Sequence, residues 1–136
     1  MIRSLIYEGK GTPQLDSGLT EVAQALLEPD KLTWVSLEAP SAEELLSVLR
    51  DVFHFHPLTI EDCQTTNYQP PKVDDFGSYL FIIMHGVHPE ALRKMMTDPD
   101  GDGADTSELD CYLGRNYVVT SFHSQMPAVE AVWRRV

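Results

Sequence analysis

The chain has 136 residues, of which 43% are hydrophobic and 23% are charged, so it is long enough to form one domain with its own core. Ten Lys and Arg residues stand against twenty-one Asp and Glu residues, for a formal net charge of −11. Such a surface repels phosphates, which argues against nucleic-acid binding and against docking on an acidic membrane. Divalent cations or basic partners fit this charge better.

Cysteine usage and hydropathy restrict the class of protein further. Cys63 and Cys111 are far apart, and neither has a second Cys or His at zinc-finger spacing, so we expect reduced, packed thiols. The first residues lack the apolar run of a signal peptide. The longest apolar stretch, 79–84, is far shorter than the roughly 20 residues that span a bilayer. We therefore expect that the chain as given does not cross a membrane.

The first third of the chain predicts alternating strands and helices. Residues 2–8 are predicted to form a strand, and the apolar residues at helical spacing in 19–27 predict a helix. Residues 32–37 are rich in strand formers and predict a second strand. Ser41 is the expected N-cap of a second helix, because Glu44 three residues later completes a capping box.

The remainder predicts one more short helix and then most of the sheet. Pro57 suits the first turn of a helix that runs to about residue 65, and residues 89–106 read as an acidic, flexible loop. A final helix begins at Pro127. The predicted strands are 73–76, 79–87, 108–113 and 117–122. This order indicates an α/β fold, a mixed sheet flanked by helices.

The most informative segment is 54–87, where a proline-led helix carries adjacent carboxylates and is followed by a proline turn and an apolar strand. This segment resembles the cytoplasmic domain of the CorA family, with its His-Pro-Leu-x-x-Glu-Asp motif, Pro-Lys-Val/Ile-acidic turn and Tyr-x-Phe-Ile strand. The matching residues are His56, Pro57, Leu58, Glu61, Asp62, Pro71, Lys72, Val73, Asp74, Tyr79, Phe81 and Ile82. Residues 108–120 also resemble the family's hairpin. One departure is Pro70, where the family usually has a basic residue.

The resemblance implies an overall organisation. Residues 1–126 correspond to the cytoplasmic α/β regulatory domain, an αβα sandwich, and residues 127–136 to the start of a helix leading to a stalk that the chain lacks. CorA proteins are homopentameric magnesium channels at the cell (inner) membrane, and this domain faces the cytoplasm. Their Gly-Met-Asn pore signature does not occur here. We therefore expect no conduction by this piece, weak Mg²⁺ binding, and a monomer in isolation.

The resemblance also implies a regulatory metal site. In the family, Mg²⁺ lies between neighbouring subunits and is bound by the Asp of the Glu-Asp pair and by an acidic stalk residue. Asp62 matches that position and Glu61 is the expected helper; the stalk partner lies beyond Val136. A shared, wet site suits Mg²⁺, which keeps several waters and takes only one or two carboxylates directly.

Two other groups could bind metal. His54 and His56 form an H-x-H pair that could be part of a zinc or catalytic site, but no third His is near in sequence, so His56 is better interpreted as a helix N-cap and His54 as a half-buried side chain. Asp98, Asp100 and Asp102 resemble the front half of an EF-hand loop. That match fails after Gly103, so the interpretation is an acidic loop and, at most, a weak Ca²⁺ or Mg²⁺ site.

The leading functional prediction is therefore a cytoplasmic metal-sensing domain of a CorA-like transporter for Mg²⁺ or for Co²⁺, Ni²⁺ or Zn²⁺, and not an enzyme. Two alternatives stay open: a self-standing module that binds divalent ions, and a metal-dependent hydrolase built on the histidine pair.

Overall fold

The computed structural model describes residues 1–101 and 106–136. Seven strands form one sheet: β1 (Ile2–Tyr7), β2 (Gln14–Leu15), β3 (Leu32–Glu38), β4 (Lys72–Asp75), β5 (Tyr79–Val87), β6 (Thr106–Gly114) and β7 (Tyr117–Phe122). The helices are α1 (Leu19–Ala25), α2 (Ala42–Leu46, continued by a wider π-helical turn over Ser47–Val52), α3 (Pro57–Gln64), α4 (Pro89–Thr97) and α5 (Pro127–Trp133). No helix in these ranges is long and apolar enough to cross a membrane.

The sheet is mixed, and its central pair is not adjacent in sequence. The strand order is β2-β1-β3-β7-β6-β5-β4. Only β3 and β7 are parallel, with Val35 opposite Val119; the other described pairs are antiparallel. Because strand side chains alternate between the two faces, each strand contributes one set of residues to each layer of helices.

One face of the sheet carries α1, α2 and α3 over the main core. The strands contribute seven buried side chains to it: Ile6, Val35, Leu37, Phe81, Ile83, Tyr112 and Val119. The helices supply Val22, Ala25, Leu45, Val48, Leu49, Ile60 and Cys63. Burial of apolar side chains of this size contributes roughly 1.5–3 kcal/mol each, so this layer is the main source of the domain's stability.

The opposite face carries α5. Phe122, Met126 and Val129 form a second apolar cluster against Trp34. The rings of Trp34 and Trp133 lie 4.7 Å apart between centroids, and the Arg3 guanidinium lies 4.1 Å from the Trp133 ring centroid. Helices therefore cover both faces, which confirms the αβα sandwich.

The predicted capping box is confirmed. The Glu44 amide donates to Ser41 Oγ at 3.1 Å, and the Ser41 amide donates to Glu44 Oε2 at 3.0 Å. These two bonds satisfy amides that have no partner within the helix.

The prediction of a flexible loop over 89–106 is wrong for residues 89–97, which form α4. Pro89 occupies the first helical position, Ala91 is buried, and the rest of the segment is largely made of strong helix formers. Its charged residues and the acidic run after it made the segment look polar in the sequence, so this helix propensity was not recognised. The short strand β2, which pairs with β1, was not predicted.

Candidate functional site

The start of α3 is held by a side-chain cap and by the aromatic core. His56 is the N-cap, as predicted, because its Nδ1 accepts a hydrogen bond from the Leu58 amide at 3.1 Å. The His56 amide donates to Tyr79 Oη at 2.9 Å. The preceding Phe55 is buried and stacks on Tyr112 at 3.9 Å between ring centroids. These contacts fix where the helix begins.

The same packing decides which side chains of α3 point outwards. Thr59, Ile60 and Cys63 are buried against the sheet. Residues three and four apart share a helix face, so Glu61 and Asp62 lie on the flank away from that contact. Glu61 is exposed and Asp62 is partly exposed.

Asp62 is the centre of a small ion-pair network. Lys72 Nζ lies 3.0 Å from Asp62 Oδ2 and 3.0 Å from Asp74 Oδ2. Hydrogen bonding to Asp62, and then to Asp74, raises the pKa of Lys72, so the lysine is charged at neutral pH. Asp74 is close to Lys72 in sequence, whereas Asp62 lies ten positions away, and sequence reasoning missed that bond. The site therefore contains one lysine between two carboxylates.

A second acidic group lies behind the end of α3. Gln69 Nε2 donates both to the Asp62 carbonyl at 2.8 Å and to Glu108 Oε1 at 3.0 Å. Glu108 and Asp110 are two residues apart on β6 and so share a face, the one that also carries the core residue Tyr112. Sequence reasoning missed this pair. The sequence did contain a signal for it. Glu108 and Asp110 are at alternate positions of a predicted strand, and the next residue on the same face is the aromatic Tyr112.

Asp110 has an unusual environment. It is 4% exposed. Burial, and then the charge of Glu108, raises the pKa of Asp110 to about 8. Burial likewise raises the pKa of the adjacent thiol of Cys63, whose Sγ lies 3.3 Å from Tyr112 Oη. Both cysteines are free and buried, as expected.

The histidine pair does not form a metal site. His54 is exposed, with a left-handed backbone φ of 55°, so the prediction of a half-buried side chain is wrong. This backbone turn directs the chain into α3 and leaves the ring outside the core. His56 uses Nδ1 to cap the helix. Within residues 1–101 and 106–136, no three His, Cys, Asp or Glu side chains are arranged to hold a metal ion.

The acidic loop is described only in part. Asp98 follows α4 as its C-cap, and the Gly101 amide donates to the Asp98 carbonyl at 3.1 Å, which closes a turn. Asp98 and Asp100 are exposed. Asp102 lies outside the described residues, so the loop stays a prediction as a weak cation site.

Solved structures share this fold. The full-length CmaX protein superposes with a TM-score of 0.72 at 17% identity, over 96% of this chain and 37% of that one. The soluble domain of CorA from Methanocaldococcus jannaschii gives a TM-score of 0.64 at 13% identity, over 98% of this chain and 45% of that one. The complete CorA magnesium transporter of the same organism gives a TM-score of 0.60 at 14% identity, over 97% of this chain and 36% of that one. At these identities the likeness establishes the fold: that of a CorA soluble domain.

Sequence similarity establishes the family. The model of the CorA-like Mg²⁺ transporter protein family matches residues 29–136. YfjQ of Bacillus subtilis (strain 168), a protein named as a candidate metal ion transporter, is 35% identical over 103 residues, which are 76% of this chain and 28% of YfjQ. This chain belongs to the CorA-like Mg²⁺ transporter family. It spans about a quarter to a half of the length of these relatives.

Proposed function

We propose that this chain is the metal-sensing regulatory domain of a CorA-like divalent-cation transporter, that it senses Mg²⁺, and that Asp62 is its main ligand with Glu61 as helper. The observation that carries the proposal is the placement of Asp62. It lies on the outer flank of a helix whose inner flank is anchored in the core, so a second copy of the protein can approach it. From the family we also propose Mg²⁺ as the ion, a homopentamer as the assembly of the full-length protein, and the cytoplasmic face of the inner membrane as its location.

The mechanism we propose is a cation bridge between copies. Two facing carboxylates about 4 Å apart repel each other by about 4 kcal/mol at an effective dielectric constant of about 20. An ion that binds both removes this repulsion and holds the copies together, and its loss lets them separate. Ligand binding then shifts a two-state equilibrium by its differential affinity for the two states.

Lys72 competes with a metal cation for the Asp62 carboxylate. Its ammonium group contacts the oxygen Asp62 Oδ2 at 3.0 Å, so a cation that takes this oxygen has to displace the lysine. Asp74 lies 3.0 Å from the same ammonium and can retain it. Lys72 is therefore proposed to lower the affinity for Mg²⁺ and to set the concentration at which the sensor responds.

Limited proteolysis of the full gene product in membranes tests the role of Asp62. We expect Mg²⁺ to protect the wild-type protein and Asp62→Asn to need at least tenfold more Mg²⁺ for half-protection, because a neutral amide binds a hard cation poorly. Unchanged protection in Asp62→Asn would remove this residue from the mechanism.

The lysine provides a sharper test in the opposite direction. Lys72→Met should lower the Mg²⁺ concentration for half-protection, since it removes the competing charge. Lys31→Met is the matched control, because Lys31 also bridges two carboxylates, those of Glu8 and Glu28, at 2.9 and 3.2 Å. Equal behaviour of both lysine variants would show that the effect is one of net charge and not of the Asp62 site.

A further inference from the structure

A polar cavity of about 310 Å³ lies behind the carboxyl end of α3. Its walls are residues 65–68, which follow the helix, the strands β5 and β6, and His123 just after β7. Glu108 and Asp110 both line it. It is distinct from the Asp62 carboxylate, which is paired with Lys72.

The buried carboxyl of Asp110 lacks a partner for one of its oxygens. Asp110 is 4% exposed and lines the cavity, yet its Oδ1 has no hydrogen-bonding partner among the described residues. Buried polar atoms in proteins are almost always satisfied, and an unpartnered carboxylate oxygen is costly to keep. The cavity therefore presents a carboxyl oxygen, Asp110 Oδ1, that no group in the described residues meets. Burial and the charge of Glu108 raise the pKa of Asp110, so a cation that binds this carboxyl takes the place of its proton.

The surroundings are electronegative. No Lys or Arg is among the residues that line the cavity, whereas two carboxyl groups are. The carboxyl-terminal end of a helix carries partial negative charge, and residues 65–68 leave α3 at that end. The His123 Nε2 atom lies 2.7 Å from the Cys63 carbonyl oxygen. Since a carbonyl only accepts, Nε2 of His123 is the donor in this hydrogen bond.

We propose that this cavity binds one hydrated divalent cation, with Asp110 and Glu108 as its carboxylate ligands. Because no three His, Cys, Asp or Glu side chains converge within the described ranges, the ion keeps several waters, as Mg²⁺ does in proteins. With two carboxylate ligands an octahedral ion keeps four waters, and even a full shell of six waters at about 30 Å³ each occupies about 180 Å³, which fits the cavity. The unpartnered Asp110 oxygen is available to the ion, and the polar side chains that line the cavity are available to its waters.

The bound ion would connect three parts of the chain. Glu108 and Asp110 belong to β6, and Gln69, which donates to Glu108, follows α3. His85 on β5 contacts the Gln69 carbonyl through Nε2 at 2.6 Å. Filling the cavity should therefore stabilise the 65–71 segment between α3 and β4. This proposal does not depend on a regulatory role for Asp62.

Titration of the 136-residue chain with Mn²⁺ tests the proposal, because the paramagnetic resonance of free Mn²⁺ reports how much is bound. We expect one Mn²⁺ per chain at this site, displaced by Mg²⁺, with selective broadening of the amide signals of residues 65–68 and 107–111. Asp110→Asn and Glu108→Gln should each raise the dissociation constant at least tenfold. Asp30→Asn and Glu43→Gln, at exposed carboxylates that do not line the cavity, are the controls and should bind as the wild type does.

Three results would overturn the proposal: no Mn²⁺ bound at millimolar concentration, unchanged binding in both β6 variants, or loss of binding in either control alone. Circular dichroism of each variant establishes that it is folded. If Asp110→Asn does not fold, Glu108→Gln decides the question, because Glu108 is only partly buried and its amide replacement can still accept from Gln69.

Discussion

At the scale of single residues, the carboxyl groups of Asp62 on α3 and Asp110 on β6 have different chemistry. Asp62 is partly exposed and paired with Lys72, so its charge is compensated. Asp110 is buried beside Glu108, so its charged form is opposed by both desolvation and repulsion. A cation that binds Asp62 has to displace Lys72, whereas the ion proposed at Asp110 would compensate a charge that is otherwise opposed by its surroundings.

The raised pKa of Asp110 predicts a pH-dependent stability. An unfolded Asp titrates near pH 4, whereas burial and the Glu108 charge raise the pKa of Asp110 in the folded protein to about 8. Between these values the folded state binds more protons than the unfolded state, so the free energy of unfolding falls as pH rises. The stabilisation is complete below about pH 4 and lost above about pH 8.

Urea unfolding in the presence of a chelator measures this effect. Between pH 5 and pH 9 the free energy of unfolding of the wild type should fall by a few kcal/mol, at about 1.4 kcal/mol per pKa unit. Asp110→Asn should abolish this fall. Asp30→Asn, at an exposed carboxylate that does not line the cavity, is the control and should keep the wild-type slope. Parallel pH curves for the wild type and Asp110→Asn would contradict the prediction.

At the scale of elements, local chemistry sets where the helices begin. The proline-led start of α3 and the capping box of α2 were both read correctly from the sequence, because the signal and the structure involve the same few neighbouring residues. The helix α4 was missed although Leu92, Met95 and Met96 recur at helical spacing, because the acidic Asp-Gly run that follows it made the whole of 89–106 read as a loop. These apolar residues are exposed, so propensity and the proline start stabilise the helix more than core burial does.

The capping box gives an element-scale prediction. Ser41→Ala removes the oxygen that accepts the Glu44 amide, and it should lower the free energy of unfolding by about 1 kcal/mol. Glu43→Ala in the same turn is the control, because Glu43 is exposed and provides no cap, so a change within about 0.5 kcal/mol is expected. Thermal or urea unfolding distinguishes the two. Equal losses in both variants would show that the cap is unimportant.

At the scale of the whole molecule, α5 joins the beginning and the end of the chain. Arg3 on β1 forms an ion pair with Glu130 at 2.9 Å and lies over the Trp133 ring. Trp133 in turn packs on Trp34 of β3. Residues from three separate segments thus close the second face of the sheet.

Removing Trp133 should therefore destabilise the entire domain. Trp133→Ala deletes a side chain that is 7% exposed, and we expect the free energy of unfolding to fall by roughly 3 kcal/mol. Val132→Ala, an exposed neighbour, should cost far less. A small effect of Trp133→Ala would mean that α5 is not part of the cooperative unit.

The sequence by itself determined the order of most elements, the αβα class through the family resemblance, and the proline-led start of the helix that carries Glu61 and Asp62, because these follow from short-range patterns and from a compact motif. Only the tertiary structure decided that β7 pairs with β3, that Lys72 lies against Asp62, and that Asp110 faces a cavity behind α3. Each of those contacts joins residues separated by ten or more positions. Such contacts depend on how the layers pack against one another, and no local pattern encodes that packing.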